Sequence, residues 1–194
     1  MTALCRDVYD ALVNGRGEVT PAIVSSGSRG GEGKSVFLKP LWTVIGREFV
    51  FATPEKGNFP LFGLEQAKVV FLDDWRFKAS VLSYSTQCLW YDGSAVPIAR
   101  PQNAPGASGH GLYAGTAPIF VTTKEQGLQA LRAAAEEDPE TGEPRDGEAP
   151  MILRRLKVCR FRVRVAKPAR QLPYCARCFA RLLLTKAGVI EGPA

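Results

Sequence analysis

Between Ser28 and Ser35 the chain reads SRGGEGKS, a run whose residue types bind phosphate when they fall in this order. Glycines at 30, 31 and 33 let successive backbone N–H groups turn inward around an anion. Lys34 adds a point charge, and the Ser35 hydroxyl is a ligand for Mg²⁺. One residue departs from the pattern. Ser28 stands where the first glycine belongs, and Gly27 comes one place early. The set implied around a nucleotide is therefore Ser28, Arg29, Gly30, Gly31, Glu32, Gly33, Lys34 and Ser35, with Lys34 expected as an exposed loop lysine. Read alone, the same run also suits a flexible glycine-rich surface turn.

A second run supplies carboxylates. KVVFLDD, residues 68–74, is an apolar strand ending in Asp73 and Asp74. In a nucleotide site the first holds hydrated Mg²⁺ and the second polarises the attacking water. The alternative is an ordinary acidic turn at a strand end. The spacing from Lys34 to Asp73 leaves room for one strand–helix unit, so the two runs can meet at the carboxyl edge of a parallel sheet.

The elements that must position these residues alternate. A short helix is expected over Arg6–Val13 and a buried strand over Ala22–Ser26, leading into the glycine-rich loop. A helix over Ser35–Ile45 follows, in which Pro40 removes a hydrogen bond. Strands are expected over Arg47–Thr53, Ala67–Asp74 and Ala117–Thr123, and helices over Ala79–Trp90 and from Lys124 to about Glu137. AVPIAR and HGLYAG flank PQNAPGASG as a β-hairpin. The class is α/β, a mainly parallel sheet with flanking helices and a hairpin insertion.

Length and charge bound the rest. The 194 residues are 45% hydrophobic and 23% charged, which suits one globular domain over 1–194 with a core at about 22–165. Residues 136–150, EEDPETGEPRDGEAP, are acidic and rich in proline and glycine, and read as a solvated loop. From Met151 to Lys186 there are eleven basic residues and no acid. Within this basic stretch (151–186) KVCRFRVRV alternates, with Cys159, Phe161, Val163 and Val165 on one side and Arg160, Arg162 and Arg164 on the other. The pattern is a half-buried strand, and a helix over Tyr174–Lys186 follows it. The formal charge of +6 fits an anionic partner. No apolar run approaches the ~20 residues that cross a bilayer, and Arg6, Asp7 and Asp10 interrupt any secretory leader. The expected location is intracellular, with no membrane partner. Five cysteines without such a leader are expected as thiols. Cys175 and Cys178 have metal spacing but lack a second pair, and read as helix-face cysteines. Trp42, Trp75 and Trp90 lie in apolar stretches and read as core.

Taken in order, the motifs resemble the helicase domain of superfamily 3, the replicative ATPases of papillomaviruses, parvoviruses and related elements. The glycine-rich loop ending GKS is followed by Asn58, Phe59 and Pro60, similar to an NFP found in parvoviral members. FLDD, then LWYDGSAVPIAR (89–100) leading into a hairpin, and finally APIFVTT (117–123) complete the series, over about Val24 to Val163. The resemblance implies an AAA+-like P-loop fold and an ATP hydrolase with ATP and Mg²⁺, the metal on Ser35 and Asp73. It implies single-stranded nucleic acid as partner, DNA ahead of RNA, and a homo-oligomeric ring, a hexamer. Asp74 and Lys124 would be catalytic, Lys124 standing where the family's sensor strand ends in asparagine. Arg155, in the RRL segment, resembles the arginine that reaches into a neighbouring subunit's site; membership of a basic face is the equal alternative. Arg100 and His110 would touch nucleic acid from the hairpin, His110 being otherwise an exposed loop residue. Ser28 and Lys124 also suit a second reading, a degenerate relic that binds nucleotide or nucleic acid without turnover.

Overall fold

The computed structural model describes residues 2–14, 22–28, 31–54, 57–102, 110–115, 117–133, 135, 148–162 and 176–188. Its centre is a five-stranded sheet built from β1 (Ala22–Gly27), β2 (Val50–Ala52), β3 (Val69–Leu72), β6 (Ile119–Lys124) and β7 (Leu156–Phe161). All four pairings in it are parallel, and the order is β2-β3-β6-β1-β7. β1, β3 and the first five residues of β6 are buried throughout, as continuous apolar runs in a parallel sheet require. β4 (Val96–Ala99) and β5 (His110–Tyr113) form a separate antiparallel pair, Val96 opposite Tyr113 and Ala99 opposite His110. Val96 and Ile98 turn into the core while Pro97 and Leu112 face out, so this hairpin is covered on one side only.

Helices cover both faces of the sheet. Val24, Val70, Leu72, Val121 and Leu156 pack under α4 (Tyr84–Asp92), α5 (Glu125–Ala133) and α6 (Glu148–Arg154), whose Trp90, Leu128 and Ile152 are buried. Ile23, Val69, Phe71 and Phe120 pack on the other face. There α1 (Thr2–Asn14) contributes Leu4 and Val8, α2 (Lys34–Leu38) Leu38, and the last helix α7 (Ala176–Ala187) Phe179 and Leu183. Phe37 of α2 meets the Phe179 ring edge-on at 5.6 Å, which seats the start of α2 against the sheet. Trp75 and Trp90 are core residues, and Trp42 packs on the second cluster against Phe71. Among the described residues no helix is long and apolar enough to cross a membrane.

Several elements differ from their expected bounds, each for a local reason. The helix over 35–45 is two, α2 and α3 (Pro40–Ile45), because Pro40 has no N–H to continue the ladder and instead opens the next helix. Arg47–Phe49 is a 3₁₀ turn after Gly46, whose φ of 95° only glycine adopts readily, and the strand begins at Val50. Helix α4 starts later than Ala79 because the Ser83 side chain accepts the Thr86 N–H and caps it. The acidic loop ends before residue 150. Glu148–Arg154 is helical because Ala149 and Ile152, three apart, bury one face against α4 and α5. Residues 136–147, 163–175 and the hairpin tip 103–109 lie outside the described residues, and with them Val163, Arg164, Val165 and Cys175. Cys178 is exposed on α7.

Candidate functional site

The loop leaves β1 at Gly27, and helix α2 begins at Lys34. Gly31 and Gly33 have φ of 87° and 85°, left-handed values at which any side chain is strained, so both glycines are demanded by the turn. Arg29 and Gly30 lie outside the described residues. Lys34 differs from the expected exposed lysine: its side chain is 11% exposed and its Nζ donates to Glu32 Oε2 at 2.8 Å. Glu32 is buried, and its Oε1 accepts from Ser28 Oγ at 3.4 Å.

The strand order brings the two chemical runs together. β6 lies between β1 and β3, and all three end at the same edge. Ser35 Oγ donates to Asp73 Oδ1 at 2.6 Å across the end of β6. Thr122, on β6 itself, donates to the same oxygen, also at 2.6 Å. Thr53, just past β2, clamps the Asp73 backbone: its Oγ1 accepts the N–H at 2.6 Å and donates to the C=O at 3.0 Å. The Asp73 carboxylate is therefore fixed by two hydroxyls, from α2 and β6, and its backbone by a third from just past β2. Thr53 carries no sequence motif, and Thr122, though inside the APIFVTT run, is joined to Asp73 only by the strand order.

Asp74 sits differently. Its φ is 49°, its N–H is held by Thr122 Oγ1 at 3.0 Å, and its half-exposed carboxylate lies 3.3 Å from Arg76. Phe77 is also left-handed at 53°, a strained value for a bulky residue. The turn between them is held to β6 by Trp75 N–H on the Thr122 carbonyl (2.9 Å) and by Thr123 Oγ1 on the Trp75 carbonyl (2.6 Å). Gly127 of α5 leaves room for the Thr123 hydroxyl that makes this bond, since a Cβ there would lie 2.7 Å from Thr123 Oγ1.

Lys124 is exposed at the end of β6, in register with Gly27. Beside it an open cleft of about 270 Å³ is lined by Gly27, Ser28, Glu125, Arg160, Phe161 and Arg162. The alternation in β7 turns Cys159 and Phe161 toward the second core cluster, while exposed Arg160 borders the cleft next to the loop. Arg160 and Arg162, which the alternation puts on the side away from Cys159 and Phe161, are thus neighbours of the loop.

The remaining expected residues lie elsewhere. Arg155 immediately precedes β7, at the opposite edge of the sheet. Its Nε donates to Asp92 Oδ1 at 2.8 Å and its Nη1 to the Met151 carbonyl at 2.8 Å. Arg100, just after β4, is ion-paired with Glu65 through Nε (3.0 Å) and Nη2, which ties the hairpin to the segment ahead of β3. His110 opens β5 opposite Ala99.

The donor set suits Mg²⁺: a hydroxyl and a carboxylate already joined at 2.6 Å are hard oxygen ligands, and this ion takes one or two such groups with phosphates and water completing its shell. Among the described residues no group of three or more His, Cys, Asp or Glu side chains gathers as an all-protein cage would need. Compared with protein-family models and with curated proteins, the chain matches none.

Proposed function

We propose that the chain is a P-loop ATPase domain of the superfamily 3 helicase type, which hydrolyses ATP at subunit interfaces and moves along single-stranded nucleic acid, DNA in preference to RNA. The observation that carries this reading is the Ser35–Asp73 hydrogen bond, 2.6 Å long between residues 38 positions apart. A solvated acidic turn has no need to be locked to a serine at the start of a distant helix. Supporting it are the parallel sheet with its helices on both faces, the loop following β1, and the hairpin after α4.

In this reading Lys34 neutralises phosphate oxygens, and Ser35 with Asp73 holds Mg²⁺. The ion, when bound, draws charge from the phosphates and fixes their orientation. Asp73 accepts two hydroxyl hydrogen bonds and is thereby aimed at the loop rather than free to rotate. Asp74 accepts a proton from the attacking water, and Lys124, at the neighbouring strand end, reaches the terminal phosphate. Arg155 acts on a neighbour's nucleotide. β1 separates it from the loop by six residues, roughly 20 Å of extended chain, so a role at the phosphate requires a ring. The Arg100–Glu65 pair steadies the hairpin that carries His110 toward nucleic acid.

A specific observation favours the relic reading: the Asp74 carboxylate lies against Arg76, which a base for water would have to leave. ATP hydrolysis measured with and without single-stranded DNA decides. Turnover stimulated by DNA is the expected result; ATP binding without turnover selects the relic; no ATP binding removes the ATPase and leaves the relic only as a nucleic-acid binder.

A further inference from the structure

An acidic residue inside a loop built to hold anions breaks a local rule, and such breaks mark functional positions. Glu32 is that residue. Its carboxylate is buried and bridges the two ends of the loop, accepting from Ser28 Oγ on one side and from Lys34 Nζ on the other. It also lies directly over Gly27. A Cβ on Gly27 would come within 1.8 Å of Glu32 Oε2 and 2.5 Å of Glu32 Cδ. Gly27 has no left-handed φ, so the backbone does not require glycine there; the room above it is filled by the carboxylate.

We propose that Glu32 is a resident anion in the phosphate seat, and that a nucleotide phosphate binds only after displacing it. The proposal rests on the reading of this loop as a phosphate site. Physically, a carboxylate and a phosphate cannot share one small, poorly hydrated seat, because like charges at contact distance repel strongly there. Lys34 is the counter-ion common to both, so without ligand its charge is matched by Glu32. Glu32 thus sets affinity. A ligand whose seat is open only a fraction of the time binds more weakly by that fraction, so a seat open one-tenth of the time costs about tenfold. The same residue gives selectivity, since a ligand carrying more phosphate charge competes better for Lys34 than a singly charged anion does.

The test is calorimetric titration of the full chain with inorganic pyrophosphate, with thermal melting run on each variant. Glu32→Gln keeps the shape and removes the charge, and is expected to bind pyrophosphate at least about tenfold tighter than the wild type. Gly27→Ala keeps Glu32 but drives its carboxylate out of the seat, and is expected to tighten binding in the same direction. If Glu32→Gln does not fold, Gly27→Ala decides alone. Unchanged or weaker binding by variants that melt like the wild type overturns the proposal. Lys34→Ala separates the two levels of the argument. Wild-type binding that Lys34→Ala abolishes, with no gain from Glu32→Gln or Gly27→Ala, keeps the phosphate seat and rejects the displaced carboxylate. No pyrophosphate bound by any of these proteins rejects the seat and the proposal together.

Discussion

The two edges of the sheet hold their charged residues in opposite ways. At the carboxyl edge Ser35, Thr122 and Thr53 come from three elements and converge on one residue, Asp73, with bonds of 2.6–3.0 Å. Farther along the same edge lie the Lys34–Glu32 pair, Lys124 opposite Gly27, and Arg160 in the cleft beside Ser28. At the amino edge Arg155 pairs with Asp92, backed by the Met151 carbonyl and by Ser94 Oγ on the same carboxylate, and joins the start of β7 to the end of α4. A convergent set restricts one carboxylate to one direction, as a binding site requires. A partly exposed pair of this kind restrains two elements without aiming a group at a common point. Parallel topology explains the contrast: every strand delivers its following loop to one edge, so polar side chains accumulate there.

The largest effect expected would break this contrast. If Arg155 serves a neighbour's site, Arg155→Ala lowers turnover of the assembled protein by about 10³–10⁵ without changing ATP affinity. Asp92→Ala removes the same intrachain pair but leaves the guanidinium, and should cost only about 0.2–1 kcal/mol of stability, with turnover retained. Mixing Arg155→Ala with Lys34→Ala subunits should restore activity at sites pairing an intact loop with an intact arginine. Equal loss in both variants and no recovery on mixing would make Arg155 a latch only.

Next in size, Asp74→Asn should reduce turnover by about 10²–10⁴ while Mg²⁺-dependent ATP binding persists. Asp73→Asn should instead weaken the metal dependence of binding, because the residue held by Ser35 and Thr122 is the one placed to meet a cation. Mild and equal effects on both in titrations and turnover assays would return the pair to an ordinary acidic turn.

A smaller loss belongs to Lys34→Ala, which should weaken ATP binding by about one to two orders of magnitude, the scale of one or two hydrogen bonds to a charged group. Because Lys34 is paired with a buried carboxylate, this variant also loses stability, and Lys34→Ala/Glu32→Gln should regain most of it. Melting curves of the two variants measure the difference.

The smallest effect lies on β7, on the face of the sheet that α1, α2 and α7 cover. Burial, and after it the Asp7 charge, pushes the Cys159 thiol above its ordinary range. The folded state thus favours the protonated thiol. That contribution is complete below the ordinary thiol pKa and fades as pH rises through the raised value. Cys159→Ala should flatten the decline in stability at alkaline pH, read from denaturant midpoints.

Much of this was legible in the residues. Continuous apolar runs over 22–26, 69–72 and 119–123 specified buried parallel strands, because only a strand covered on both faces tolerates such a run. Gly31 and Gly33 were legible as turn glycines because a left-handed backbone is a local demand. Helix Glu148–Arg154 was hidden by the acidic, proline-rich stretch running into it, and its cause is burial of Ala149 and Ile152, which composition does not report.

The sequence by itself determined the alternation of strands and helices, the turn glycines, and the places of the SRGGEGKS and KVVFLDD runs after and along strands. Only the tertiary structure decided that β6 inserts between β1 and β3, which brings Thr122 to Asp73 and lets Ser35 reach the same oxygen. It also decided that Lys34 meets Glu32 before any ligand, and that Arg155 lies at the far edge of the sheet. The physical reason is range. Periodicity and turn chemistry act over a few neighbouring residues, whereas strand order is fixed by burying two apolar faces at once, and no short stretch of sequence records that choice.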